Sequence, residues 1–487
     1  MGTERTDLVA SSAGRLSDLP QEPGLPYFGI VLSLKPERAH LDLEAIALRH
    51  GRNFGYRFLG RPGIGIVDAE VARTVFQDRP DAIRRFMAIE EELGAIGLLG
   101  VFAAEGKDWR RQRRLINPSF HAAHLDSFAE AIERVTARFS DHLSHAAARG
   151  DVLDVVAELM RYTVDITTSV AFGRDFDSIG AGDGTLQKQL GEVFRGINRR
   201  LFSPIRYWRY LPFLDRSFNR AVTEMHAFMK TLVEERRAEL HDSPPAPGHR
   251  SRTLLESMIR AHDEEGAEHP LTDDEIIANV FTVLLAGEDT TANTVAWALH
   301  YLATRPDVFA HARAEVDAAL GDALVPTLEQ AKHFQYIDAI VHESLRLRSP
   351  APFAGLETTR DTVIGGVMVP KGAMVSVLTR LISTSPANFG DPDSFRPERW
   401  LSHAPEDTRP HNPRALMAFG SGPRVCPGRG LALLEAAMVL AMIVRRFDLE
   451  AVDSASVREV LAFTMQPEGV RVRFHERKDL VRVPKEG

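Results

Sequence analysis

Cys426 is the residue best placed to do chemistry, and it is the only cysteine in the chain. It stands in Phe419-Gly420-Ser421-Gly422-Pro423-Arg424-Val425-Cys426-Pro427-Gly428-Arg429-Gly430, a glycine-rich loop that runs straight into a helical pattern. A helix N-terminus offers unpaired N–H groups and a positive dipole end, which lower a thiol pKa and hold a thiolate as a ligand. Glycines let such a backbone approach a flat cofactor closely. A lone cysteine is by default a small buried core residue, so the weight rests on the ordered array around it.

A second set, Ala286-Gly287-Glu288-Asp289-Thr290-Thr291, falls near the middle of a long helical pattern. Glycine costs about 1 kcal/mol there and threonines are poor helix formers. Either the irregularity serves packing against a close neighbour, or it serves a reaction. A carboxylate beside a hydroxyl in a locally opened helix can relay protons through water. Glu343 and Arg346 lie three apart on a helix and share a face, which suits even a surface ion pair worth roughly a few tenths of a kcal/mol. Phe395-Arg396-Pro397-Glu398-Arg399-Trp400 follows downstream. Trp109 and Arg113 stand one helical turn apart in Trp109-Arg110-Arg111-Gln112-Arg113-Arg114, a run that also fits a solvated basic helix.

Together these motifs resemble the cytochrome P450 family. The array Phe-x-x-Gly-x-Arg-x-Cys-x-Gly matches that family's haem-binding loop at every defined position, through Phe419, Gly422, Arg424, Cys426 and Gly428. The resemblance implies haem b (iron protoporphyrin IX) with the Cys426 thiolate as axial ligand, Phe419 covering the sulfur and Arg424 pairing with a propionate. It makes Asp289 the proton relay and Thr290 its positioner on the oxygen side, with Ala286 and Gly287 leaving room. It places Glu343, Arg346 and Arg399 in a buried structural network, and Trp109 and Arg113 on a haem propionate. Arg110, Arg111 and Arg114 would then face partly outward as a basic patch where an acidic electron donor docks. Many soluble members carry a propionate-binding arginine just after the Glu-Arg helix, and residues 350–356 have none.

The implied activity is insertion of one oxygen atom from O2 into a hydrophobic organic substrate, with hydroxylation the default outcome. Electrons would come from a ferredoxin or flavodoxin and its NAD(P)H-dependent reductase. Pocket-lining stretches are expected at 88–102, 194–213, 281–290, 352–355 and 463–465. Two other functions compete. A peroxide-driven peroxygenase has less need of Asp289 and Thr290, and a non-catalytic haem protein that binds a gas or ligand needs neither.

The positioning elements can be read from periodicity and turn residues. A hairpin is expected from 56–59 and 64–67 across a turn at 60–63, and long helices from 128–149 and 219–240. The Pro-rich stretch 242–248 marks an exposed loop or a domain boundary. Thr272 and Glu275 form a capping-box signature that opens a helix lasting to Pro306, roughly 50 Å long. Helices are expected at 307–320, 336–347 and 431–447. Strands are expected at 363–369 and 374–379 about a 370–372 turn, with a final hairpin from 460–465 and 470–474. The fold class is mainly α, and the resemblance implies a triangular α-helical domain with a small β-rich lobe. Residues 1–20 read as a flexible polar arm ahead of one haem domain spanning 21–487.

Composition narrows the function further. A formal net charge of −8 argues against a nucleic-acid binder, because phosphate recognition normally shows as a basic domain. One cysteine excludes an intrachain disulfide and suits a reducing compartment. The polar N-terminus has no signal-peptide pattern, and no apolar run reaches membrane-spanning length. A cytoplasmic monomer without a membrane anchor is the expectation.

Overall fold

The computed structural model describes residues 13–120, 126–180, 185–203, 208, 210–243, 251, 253–263 and 270–480. The Thr272 hydroxyl accepts the Glu275 N–H at 3.2 Å, and the Glu275 carboxylate accepts the Thr272 N–H at 2.8 Å. This capping box opens the helix Asp273–Thr304, whose 32 residues span about 48 Å. It ends where Pro306 starts the next helix, Pro306–Leu320.

This central helix is apolar on most of its faces because it is wrapped by other helices: Val155–Phe172, Arg216–Asp242, Gln335–Leu347 and Arg429–Arg446. Its N-terminal half buries Ile276, Val280 and Leu284 against Met225 and Met229. Its C-terminal half buries Ala292, Val295 and Leu299 among residues of the Arg429–Arg446 helix such as Met438 and Ile443. The helices Arg216–Asp242 and Leu254–Asp263 put Met229, Leu232, Leu254 and Met258 into one cluster, so a shared core joins the two sides of the Pro-rich stretch. Of that stretch, residues 244–248 lie outside the described residues.

The β lobe departs from the expected pairing in three places. The first hairpin joins Phe54–Phe58 to Arg61–Ile66 through Leu59 and Gly60, both at positive φ, so Arg61 and Pro62 already belong to the strand. A two-residue turn of this kind matches strand twist, and Leu59 carries no sequence sign of it. Next, Gly365 and Gly366 at positive φ fold the 363–369 run into its own hairpin, Thr362–Ile364 with Val367–Val369. Met374–Val377 instead lies in a second sheet between Arg61–Ile66 and Ala354–Thr358, and the 370–372 bend links the two sheets. Finally, Arg458–Leu461 pairs with Met465–Glu468, while Arg471–Glu476 pairs with Phe447–Val452 and Val152–Asp154. Pro467 therefore sits in a strand, on a two-stranded ribbon where its missing N–H is tolerated.

Of the expected arm at 1–20, residues 1–12 lie outside the described residues. Gly14–Arg15 pairs with Val367 and Met368, and the Gly55 N–H donates to the Pro20 carbonyl at 2.8 Å. No described helix is long and apolar enough to cross a membrane.

Candidate active site

The cysteine loop rests on the end of the helix Ala69–Gln77. A Cβ at Gly422, whose φ is +69°, would meet the Phe76 carbonyl oxygen at 2.5 Å, so only glycine fits there. The Cys426 N–H donates to the Phe419 carbonyl at 2.9 Å, closing the loop just before Gly428 caps the helix Arg429–Arg446. Protein crowded around the sulfur pushes the thiol up from its ordinary value. The N–H groups of Gly428 and Arg429 and the charge of Arg113 pull the other way. Cys426 still keeps exposed surface, and a Cβ at Gly428 would come no nearer to Sγ than 3.9 Å.

Arginines gather beside the cysteine loop. Arg113 donates from Nη2 to the Val425 carbonyl at 2.7 Å. Arg424 donates to the Ala104 carbonyl at 2.6 Å, pairs with Glu105 at 2.8 Å and lies 4.5 Å over the Trp109 ring. Arg85 donates through Nε to the Phe102 carbonyl at 3.0 Å, and buried Arg79 stands close enough to repel it. Burial lowers Arg79 to about 10 and Arg424 to about 9, and it lowers Arg85 well below the ordinary arginine value. Arg113 is lowered by burial as well. Among the described residues, Glu105 is the carboxylate that counters Arg79, Arg85 and Arg424. Nε and Nη2 of Arg79, Nε of Arg113 and Nε of Arg424 are buried with no hydrogen-bond partner.

A group of buried, mutually repelling guanidinium ions with unused N–H donors demands anions. The two propionates of a haem and the Cys426 thiolate are anions that would offset the positive charge these arginines carry beyond what Glu105 counters. The residues present therefore fit the group. Arg85 also stands opposite Leu356 in the pairing of Ile83–Arg85 with Ala354–Thr358, so a neighbouring strand brings a cation to the stretch that lacks one.

On the central helix, Ala286 is exposed and Thr290, one turn on, is half-buried, while Glu288 and Asp289 are buried. The Thr290 hydroxyl donates to the Ala286 carbonyl at 2.7 Å. Asp289 turns elsewhere: it accepts from Asn293 Nδ2 at 3.0 Å and from the Thr464 hydroxyl. The acid and the alcohol thus neighbour each other in sequence but bond to different groups. Burial raises the Asp289 carboxyl, and the Thr464 and Asn293 hydrogen bonds oppose it. Burial and the Asp289 charge push Glu288 well above the carboxylate range. The expected role of Gly287 needs correction. A Cβ there would come within 2.7 Å of Thr167 Oγ1, so Gly287 serves close packing on the helix Val155–Phe172, and Ala286 is the small residue left open.

The structure brings Glu343, Arg346 and Arg399 together, each fully buried. Arg346 forks onto Glu343 at 2.9 and 2.8 Å, and Arg399 reaches it at 3.0 Å. The indole N–H of Trp400 and the backbone N–H of Arg396, neither foreseen, complete the carboxylate's partners at 2.9 Å each. The remaining guanidinium donors end on backbone carbonyls, those of Ser383, Pro392 and Ser394 for Arg346 and those of Gly390, Asp391 and Thr408 for Arg399.

Trp109 is buried and Arg113 half-buried on the helix Gly106–Ile116. The basic patch is smaller than expected, because Arg110 pairs with Asp81 and Arg111 forks onto Glu275, leaving Arg114 as the exposed cation of the three without such a clasp described. Among the pocket stretches, Phe463 stacks on Phe194 with centroids 5.7 Å apart and meets Phe102 edge-on at 5.9 Å. Residues 204–207 and 209 of the 194–213 stretch lie outside the described residues. Arg79, Arg85 and Asn293 were not singled out from sequence. The Arg84-Arg85 pair inside an apolar run, and Asn293 four residues after Asp289, were the available signs.

The sequence profile described as Cytochrome P450 matches residues 19–474. The chain is 26% identical over 461 residues to the chloroplastic protein LUTEIN DEFICIENT 5 of Arabidopsis thaliana, covering 92% of this chain and 75% of that one. It is 27% identical over 455 residues to cytochrome P450 3A31 of Mesocricetus auratus, covering 92% and 88%. The solved haem domain of cytochrome P450DA superposes with a TM-score of 0.81 at 27% identity, covering 94% of this chain and 98% of that one. A profile match over nearly the whole chain, the same fold and a cysteine loop set among anion-seeking arginines lead to one assignment: the chain belongs to the cytochrome P450 family, the haem-thiolate monooxygenases.

Proposed function

We propose that this enzyme inserts one atom of O2 into a hydrophobic organic molecule, chiefly as hydroxylation, using electrons from a separate ferredoxin or flavodoxin and its NAD(P)H-dependent reductase. The observation that carries this reading is the division of labour on one turn of the central helix. Small Ala286 is exposed and Thr290 half-buried, while the Asp289 carboxyl is buried on Asn293 and Thr464. Bound haem supplies dioxygen binding and reductive O–O cleavage. In this reading Cys426 Sγ would ligate the haem iron, with the N–H groups of Gly428 and Arg429 favouring its thiolate form. Trp109, Arg113 and Arg424 anchor propionates, with Arg79 and Arg85 taking the place of the arginine missing from 350–356. Phe419 shields the sulfur. Thr290 orders water against the open face, and Asp289 passes protons to it.

Phe102, Phe194 and Phe463 favour an apolar substrate. Arg114 contributes to docking an acidic donor. The whole of 21–487 acts as one haem domain, in a cytoplasmic monomer. The test is the visible spectrum of the reduced protein under carbon monoxide, followed by turnover. A thiolate-type Soret band that disappears in Cys426→Ser, with product formed faster from reduced ferredoxin than from hydrogen peroxide, is the expected result. A histidine-type band would remove the thiolate. Turnover favouring peroxide would make the protein a peroxygenase.

A further inference from the structure

We propose that Thr464 and Asn293 form a hydrogen-bonded holder for the Asp289 carboxyl, which positions this acid for proton delivery and ties it to the wall of the substrate site. The inference rests on the monooxygenase reading and adds two positioning residues to it.

The three side chains form a closed triangle. Asn293 Nδ2 donates to Asp289 Oδ1 at 3.0 Å and reaches Thr464 Oγ1 at 3.3 Å, and the Thr464 hydroxyl donates to Asp289 Oδ2. Asn293 is fully buried, and Asp289 and Thr464 are 4% and 8% exposed. The second amide atom, Asn293 Oδ1, is buried with no hydrogen-bond partner. A buried acceptor left unused costs free energy unless some state of the site uses it. Reversal of the amide supplies that state. With Nδ2 toward the acid, Asn293 serves the carboxylate; with Oδ1 toward it, Asn293 accepts from the protonated acid. A carboxyl that gives up and regains protons passes through both forms, and this amide can satisfy each.

Thr464 places the holder under the influence of the substrate wall. It lies in the turn between Arg458–Leu461 and Met465–Glu468, directly after Phe463, which packs on Phe194 and Phe102. Asn198, from the helix that carries Phe194, donates to the Leu461 carbonyl at 3.2 Å. A molecule pressing on Phe463 therefore acts on the residue that holds Asp289.

The chemistry at stake is a choice between two balanced outcomes. Substrate RH, O2, two electrons from the external donor and two protons give ROH and water. Without timely protonation of the departing oxygen, O2, two electrons and two protons give hydrogen peroxide, and RH is untouched. Further reduction of O2 by four electrons and four protons gives two waters.

The experiment measures hydrogen peroxide released per NADPH, and the solvent isotope effect on NADPH consumption, in haem-loaded protein with a ferredoxin and its reductase. Lauric acid is the probe. Because the readout follows peroxide, it holds whether lauric acid is oxidised or merely fills the site. Thr464→Val removes the hydroxyl at nearly constant shape, and Thr464→Ser keeps it. In Thr464→Val the peroxide share should rise about fivefold, the worth of one hydrogen bond, with a larger isotope effect, and Thr464→Ser should restore both. An unchanged peroxide share and isotope effect in Thr464→Val, with the thiolate band intact, would overturn the holder while leaving the monooxygenase reading standing. Loss of that band in the unmodified protein would overturn both.

Discussion

Arg79 is only 6% exposed, its Nε and Nη2 are unpartnered, and it shares Glu105 with Arg85 and Arg424. For the polypeptide alone this is a burden, since a buried charge without full pairing destabilises the fold. Burial lowers Arg79 to about 10 from 12.5, so its charged form is disfavoured on folding. That cost is fully present at neutral pH and fades only as pH climbs from about 10 toward 12.5. Arg79→Gln should therefore raise the melting temperature of the haem-free protein, by an amount equivalent to about 1–3 kcal/mol. The same change should speed transfer of haem to an acceptor globin. A variant that loses stability without haem and keeps its haem as firmly as before would refute the anion-seeking role. Cys426, Arg424, Trp109 and Arg113 were legible from spacing because each sits in a short local motif. Arg79 and Arg85 were not, because what gives them meaning is Arg424, more than 330 residues away in the chain.

The helix Gln335–Leu347 exists to deliver Glu343 and Arg346 together, and the short helical turn Pro397–Trp400 delivers Arg399 and Trp400 to the same carboxylate. Glu343→Gln leaves two fully buried guanidinium groups without their shared negative charge. The expected loss is about 3–5 kcal/mol of stability, read by urea unfolding, together with a lower haem content of the purified protein. Retention of full stability would mean that the backbone carbonyls around Arg346 and Arg399 suffice to hold both arginines. Helices were read well from the sequence because their 3.6-residue periodicity and the Thr272 capping box are local. Strand partners were read poorly. Short strands such as Val367–Val369 and Arg471–Glu476 choose among several edges, and Gly365-Gly366 and the Leu59-Gly60 turn settle the choice through backbone geometry.

Across the whole molecule, Glu459 fastens the C-terminal hairpin to both the β lobe and the helical body. It meets His40 at 3.1 Å, Arg348 at 2.7 Å and Arg380, which also pairs with Glu44. Burial pushes Glu459 up, but the His40 bond and the charges of Arg380 and Arg348 more than offset it and hold the carboxyl at about 2, below 4.5. Its contribution is thus complete above pH 4.5 and disappears as pH falls from 4.5 toward 2. Glu459→Gln should cost roughly 2–3 kcal/mol at pH 7 and flatten the acid limb of a stability-versus-pH curve. An acid limb identical to that of the unmodified protein would show that other carboxylates govern it. By itself the sequence determined the helices, the cysteine loop with its chemistry and the order of the motifs, because each depends on residues within a turn or two of one another. Only the tertiary structure decided which arginines gather about Glu105 beside the cysteine loop, that Gly287 packs on Thr167 and that Asp289 faces Thr464. Those facts depend on burial and on contacts between distant segments, which no local pattern encodes.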